Sequence, residues 1–239
     1  KKKENVIDAA ERFGIEYPIV LDNEYTTWAA YKNRYWPRKY IIDIDGFVVY
    51  DHIGEGAYEE TELKIQELLN ERSRRLDEQA EVDLDFSRNL GDKSQAKSPE
   101  IYFGSARNSR LGNGISGSSG EQELSFLDDD DSLNVLYLQG LWNMDPEHVE
   151  TLGQENRVKF RYNADKVFMV ADADESVSVR VLRDGVDVGT YGGSDVVDSS
   201  FEIKESRLYH LIDESKAGEH TLEFIIDGPG VRLYAFTFG

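Results

Sequence analysis

The sequence has 239 residues, enough for two domains with separate cores. Its formal net charge of −20 weighs against nucleic acid or an anionic membrane as the main partner, because both would repel it. With no cysteine, disulfides, thiolate nucleophiles and cysteine-based metal sites are excluded, and no run of about 18 apolar residues marks a membrane span.

The opening Lys1-Lys2-Lys3-Glu4 has no apolar stretch behind it and is not a signal peptide. It reads like the middle of a helix, so the chain is expected to begin inside a domain. Residues 4–14 set Val6, Ala9, Ala10 and Phe13 at helical spacing, with Gly14 as the stop. Ile15 to Leu21 is a short extended apolar run. Asp22-Asn23 can cap a second helix over 24–32, with Trp28 and Tyr31 on one face. Pro37 ends helical continuation and pushes Trp36 toward an extended conformation.

Two strands follow, over 38–43 and 47–52, joined by the turn signal Asp43-Ile44-Asp45-Gly46. Residues 58–79 predict an amphipathic helix with Ile65, Leu68, Leu69 and Leu76 as its buried stripe. The charged stretch 80–98 lacks periodicity and reads as a linker. Gly112 to Gly120 is rich in Gly and Ser and is expected to be a mobile loop, and Asp128 to Asp131 an acidic loop tip.

From Asn134 onward, segments such as NVLYLQGLW, RVKFRYNA, KVFMVADA, RLYHLID and HTLEFIID alternate apolar and polar residues between short turns. That spacing predicts a β-sandwich or jelly roll. The whole is expected to be α/β plus all-β: residues 1–79 a first domain, 80–98 a linker, 99–239 a sandwich.

Candidate chemistry is sparse. His52, His148, His210 and His220 lie on separate segments without metal-site spacing, so no metal and no cofactor is expected. The acidic run lacks the ligand spacing and central Gly of an EF-hand. Neither a nucleophile elbow nor a phosphate loop is present. Aromatics stand out in the second domain: Trp142, Tyr162, Tyr191, Tyr209 and Tyr234 lie on or near strands. Large aromatics at alternating strand positions are usually core. Trp142 precedes Asn143-Met144-Asp145-Pro146 at a strand end, and Tyr191 adjoins Gly192-Gly193, so these two are the candidate carbohydrate-binding positions.

The run YPIVLDNEYTTWAAYKNRYWPRKYIIDIDGFVVYDHIGEG resembles the redoxin domain of TlpA-like proteins. It is similar more closely to the DipZ type, in which a membrane CcdA-like segment, a redoxin domain and a β-sandwich follow one another. The final domain, ending LYAFTFG, is similar to that sandwich. The resemblance implies a partial thioredoxin fold, its C-terminal two-thirds, with Trp36-Pro37 as the cis-proline loop that binds substrate. It implies a parent thiol–disulfide oxidoreductase outside the cytoplasm, serving cell redox homeostasis. The parent's partners would be protein thiols or disulfides and a CcdA-like electron donor.

The departure is the missing Cys-x-x-Cys at a helix N-terminus. As given, the chain is expected to be inactive alone and to be a fragment of a longer protein, a cleaved piece or a redoxin scaffold that has shed its chemistry. Two further readings stand beside it: a carbohydrate- or protein-binding sandwich on a non-catalytic scaffold, and a structural module for self-association.

Overall fold

A computed structural model describes residues 3–77, 96–127 and 130–239. The chain divides into two units, Lys1–Lys93 and Ser94–Gly239. Most of the linker expected over 80–98 lies outside the described residues.

In the first unit, helix α1 is Lys3–Arg12. It stops where Gly14 takes a positive φ of 60°, a backbone state that only glycine enters freely. Helix α2, Thr26–Ala30, starts where the Asp22 carboxylate accepts the N–H groups of Thr27 at 2.9 Å and Trp28 at 2.7 Å. Those bonds hold the Asp22 carboxyl below its usual range. Strands β1, Arg38–Ile42, and β2, Val48–Ile53, pair antiparallel. Their turn is built by Asp43, whose Oδ1 accepts the N–H groups of Asp45 (3.0 Å) and Phe47 (2.9 Å). Helix α3, Tyr58–Leu76, is tied to that turn by a two-pronged Arg75–Asp45 contact of 2.6 and 2.8 Å.

The buried stripe expected on α3 is not buried. Ile65 is 37% exposed, Leu69 42% and Leu76 51%. No hydrophobic side chain among the described residues of this unit is buried. A two-stranded sheet offers too little surface to close over a helix.

The second unit is almost wholly β. Its strands are β3 (Ile101–Tyr102), β4 (Gly120–Leu124), β5 (Leu136–Met144), β6 (Val149–Thr151) and β7 (Glu155–Ala173). They continue as β8 (Val177–Arg183), β9 (Val186–Asp187), β10 (Ser200–Ile203), β11 (Arg207–Asp227) and β12 (Val231–Phe238). The ladder runs β10-β8-β11-β7-β12-β6-β5-β4, with β3 on β12, β9 on β8 and a further β7–β5 pairing. The result is a sandwich-like sheet wound around one core.

Two long strands make this possible. Along β7, Val158, Phe160, Tyr162 and Ala164 face inward in strict alternation. Asp165 and Lys166 then shift the phase, and Val167, Met169, Ala171 and Ala173 face inward in turn. The register of β11 slips at the same level, where Asp213 pairs with Lys166 but Gly218 with Ala164. Extra residues on one strand let both halves of the ladder keep their apolar face on the core. The core centres on Phe236, whose ring lies 4.2 Å from Phe160, 5.6 Å from Phe224 and 5.1 Å from Phe103.

Two loop expectations change. The Gly112–Gly120 segment is held rather than loose: Asn108 Oδ1 accepts the Gly117 N–H at 2.9 Å. Asn113 donates to Leu138 O at 2.7 Å and accepts the Leu138 N–H at 3.0 Å. In the acidic run, Asp130 is buried and its carboxylate accepts the Leu127 N–H at 2.7 Å. Asp128 and Asp129 lie outside the described residues.

Candidate functional site

In the first unit the singled-out pair sits at the entrance to β1. The Trp36–Pro37 peptide is cis. Pro37 O accepts the Gly54 N–H at 2.9 Å, fastening the proline to the far end of the hairpin. Upstream, Asn33 turns the chain by accepting the Arg34 N–H at 3.0 Å with its own side chain. Tyr40 packs on Tyr31 with ring centroids 5.0 Å apart and donates to Tyr31 O at 3.3 Å. These contacts anchor both flanks and leave Trp36 projecting, 88% exposed. Among the described residues, neither backbone group of Trp36 takes a hydrogen-bond partner. A hollow of about 400 Å³ lies in the same unit, lined by Val20, Trp28, Tyr31, Asn33, Tyr40 and Ile42 among others.

In the second unit the two candidate aromatics part ways. Trp142 lies inside β5 and is 0% exposed, with its Nε1–H donated to Gln139 O at 3.0 Å. The expectation of a ligand-facing indole at a strand end is therefore corrected. The strand runs on through Met144 and the ring lies inside the core cluster, so Trp142 has no free ring face. Tyr162 and Tyr209 are core as well.

Tyr191 does project. It ends a 3₁₀ turn, Gly189–Tyr191, and is 47% exposed. The Arg183 guanidinium sits 4.1 Å from its ring centroid. That arginine is fixed by Glu214, through Nε at 2.9 Å and Nη2 at 3.0 Å. It also meets His220 Nε2 at 2.8 Å, while His220 Nδ1 lies 2.8 Å from Asp184. Burial alone would raise the Asp184 carboxyl, but the Thr221 N–H and His220 hold it below its usual range. Beneath them the Tyr162 hydroxyl is pushed well up by burial and by the Glu214 charge. The cluster joins the bulge of β11 to the end of β8 and leaves one face of Tyr191 to solvent.

Among the described residues no group of three or more His, Asp or Glu side chains is placed to hold a metal ion. No described helix is long and apolar enough to cross a membrane.

A family model described as "Thioredoxin like C-terminal domain" matches residues 98–239. Protein DipZ of Mycobacterium bovis and Protein DipZ of Mycobacterium tuberculosis are each 30% identical to this chain over 240 residues. Each match covers 98% of this chain and 32% of the relative, so the chain spans about a third of the length of these curated relatives. Among solved structures, a family two carbohydrate esterase from Cellvibrio japonicus aligns with a TM-score of 0.36 at 12% identity, covering 43% of this chain and 30% of that one.

Proposed function

The chain belongs to the family described as the thioredoxin-like C-terminal domain, and from that premise we propose that it is the extramembrane part of an extracytoplasmic thiol–disulfide oxidoreductase. Its first unit is then the C-terminal part of a thioredoxin fold, and its redox cysteines belong to a segment not in this sequence. The reading rests on the resemblance of the 17–56 stretch to redoxin domains and on the likeness to DipZ.

One observation carries the site. The Trp36–Pro37 loop is anchored on both sides, while Trp36 itself projects with both backbone groups open. An incoming extended peptide can pair with those groups as an added strand. This chain contributes binding and no catalysis, because it has no thiol. The partners of the whole protein are then a protein dithiol or disulfide and a CcdA-like membrane donor of electrons. The test joins this chain behind a redoxin N-terminal segment carrying Cys-x-x-Cys and measures insulin reduction. Activity is expected, and it should fall on Trp36→Pro, which removes the backbone N–H that an added strand would use. An inert joined protein with folded units refutes the catalytic reading.

A second reading is favoured by Tyr191. A half-exposed tyrosine with an arginine 4.1 Å from its ring centroid can offer its other face as a stacking platform for a sugar ring. On this reading the second unit is a carbohydrate-binding sandwich. Binding of a glycan that is lost in Tyr191→Ala supports it, and the absence of any glycan binding counts against it.

A further inference from the structure

A depression of about 390 Å³ lies on the outer side of the second unit, away from Tyr191 in sequence and lining. Its walls are Tyr102, Arg107, Pro146, Glu147 and Tyr234, and its floor includes Val170 and Ala235. The register explains why the hollow exists. Ala235 on β12 pairs with Tyr102 on β3 and with Val170 on β7, so the three lie side by side across three strands. The middle one is an alanine, and its small side chain leaves a trough beside the tyrosine. Tyr102 is turned outward because its neighbours Ile101 and Phe103 are both buried.

The walls are built rather than incidental. The 103–107 loop is stitched to the 145–148 turn by Ser105 N–H to Asp145 O at 2.8 Å and Ala106 N–H to Pro146 O at 3.1 Å. The two come together only because residue 104 is glycine. A Cβ there would sit 2.3 Å from the Glu147 carbonyl carbon and 2.5 Å from Pro146 O. Both tyrosines are also held. The Arg107 guanidinium lies 3.4 Å from the Tyr102 ring centroid. The Tyr234 hydroxyl donates to Asp172 at 3.1 Å, and the His148 ring lies 5.2 Å from the Tyr234 ring. Asp172 is held in turn by Arg232, which also reaches Asp174 at 2.8 Å.

We propose that this trough is a binding site for a neutral saccharide, the floor and tyrosines meeting the C–H face of a sugar and Arg107 and Glu147 its hydroxyls. This rests on the carbohydrate reading of the sandwich and moves its ligand to a site other than Tyr191. Three features select the ligand class. The lining carries one cation and one anion, Arg107 and Glu147, so it favours neither a phosphate nor a basic ligand. Apolar floor and paired donor and acceptor suit a molecule with one C–H face and hydroxyls that both give and take. Strand β12 is flanked by β3 and β7 at this level, so its own backbone groups are taken and an extended peptide cannot join it.

The experiment is calorimetric titration of the chain with cellotetraose, xylotetraose and mannotetraose, and with tetragalacturonate as the charged counterpart. At least one neutral tetrasaccharide is expected to bind saturably. Affinity should fall about ten-fold or more in Tyr102→Ala. Two variants that leave the core untouched give the same answer by other means: Ala235→Leu fills the trough, and Glu147→Gln removes an acceptor charge from its rim. Both should weaken binding, with circular dichroism unchanged. Binding that survives all three variants but is lost in Tyr191→Ala overturns the trough and leaves the carbohydrate reading standing. Binding of tetragalacturonate alone overturns the neutral ligand class. No binding of any of the four, with the protein folded, overturns both.

Discussion

Replacing Trp142 by alanine tests whether this residue is core or ligand platform. The indole is 0% exposed and belongs to the buried core cluster, on a strand paired with β4 and β6. Emptying such a site removes both the transfer free energy of a large side chain and its dispersion contacts, about 3–5 kcal/mol for Phe or Trp to Ala. The Nε1–H bond to Gln139 O, 3.0 Å long, is lost as well. If that carbonyl finds no water, the cost rises by about 1–3 kcal/mol. Against a usual total of about 5–15 kcal/mol, the variant is left marginal. At about 2–4 °C per kcal/mol for a unit of this size, the melting temperature should drop by about 6–20 °C. Urea unfolding followed by far-UV circular dichroism reads the change, with the β transition taken separately from the helical one because the chain has two units. A loss below about 1 kcal/mol would refute the assignment of Trp142 to the core.

Other substitutions probe different links. Trp36→Ala should leave stability within about 0.5 kcal/mol, since the side chain touches little, and should keep most of the activity of a cysteine-restored protein, since strand-like pairing uses backbone groups. Acrylamide quenching should find Trp36 fully accessible while Trp142 resists. Gly104→Ala drives a methyl into the 146–147 backbone and should cost about 1–3 kcal/mol, read as a lower urea midpoint. For Asp195, burial alone would raise the carboxyl, but Arg207 at 2.7 Å and the His210 N–H at 2.7 Å hold it below its usual range. Its contribution is therefore complete above about pH 4 and fades as pH falls through the lowered value. Asp195→Asn should lose about 1–3 kcal/mol at neutral pH, with the gap from the parent closing in acid. A gap that persists unchanged below pH 3 would contradict this.

What the residues disclosed follows from how local the signal was. The 38–53 hairpin and the Gly14 stop are set by neighbours a few positions away, and each is where its motif placed it; Asp22 does hold the start of α2, but that helix opens at Thr26 and ends at Ala30 instead of spanning 24–32, with Tyr25 between. In the sequence each long strand looks like two short ones. Ala164-Asp165-Lys166 and the polar run after Asp213 look like turns, yet they are the phase shift and bulge inside single strands β7 and β11. Only their mutual register reveals that. Trp142 misled for a related reason. The Asn-Met-Asp-Pro that follows it signals a turn, but Asn143 and Met144 still belong to β5, paired with Glu150 and Val149. The trough was not legible at all. It draws on a two-residue strand, a loop and an alanine on the neighbouring strand far along the chain, and no spacing rule joins Tyr102 to Tyr234.

The β7–β11 ladder also governs how fast the second unit can form. Its pairs run from Glu155 with Asp227 to Ala171 with Arg207, so β8, β9 and β10 all lie within the segment it closes. Bringing its ends together costs chain entropy before the central pairs repay it. Proteins dominated by such distant pairings fold in milliseconds to seconds rather than microseconds. The ladder must also zip past the Asp213–Gly218 bulge, where a slip would turn one half of the strand inside out. Refolding of this unit should therefore be slow, and Gly218, at the end of the bulge where an added Cβ would come 2.7 Å from His220 Nε2, is a position where substitution should change that rate.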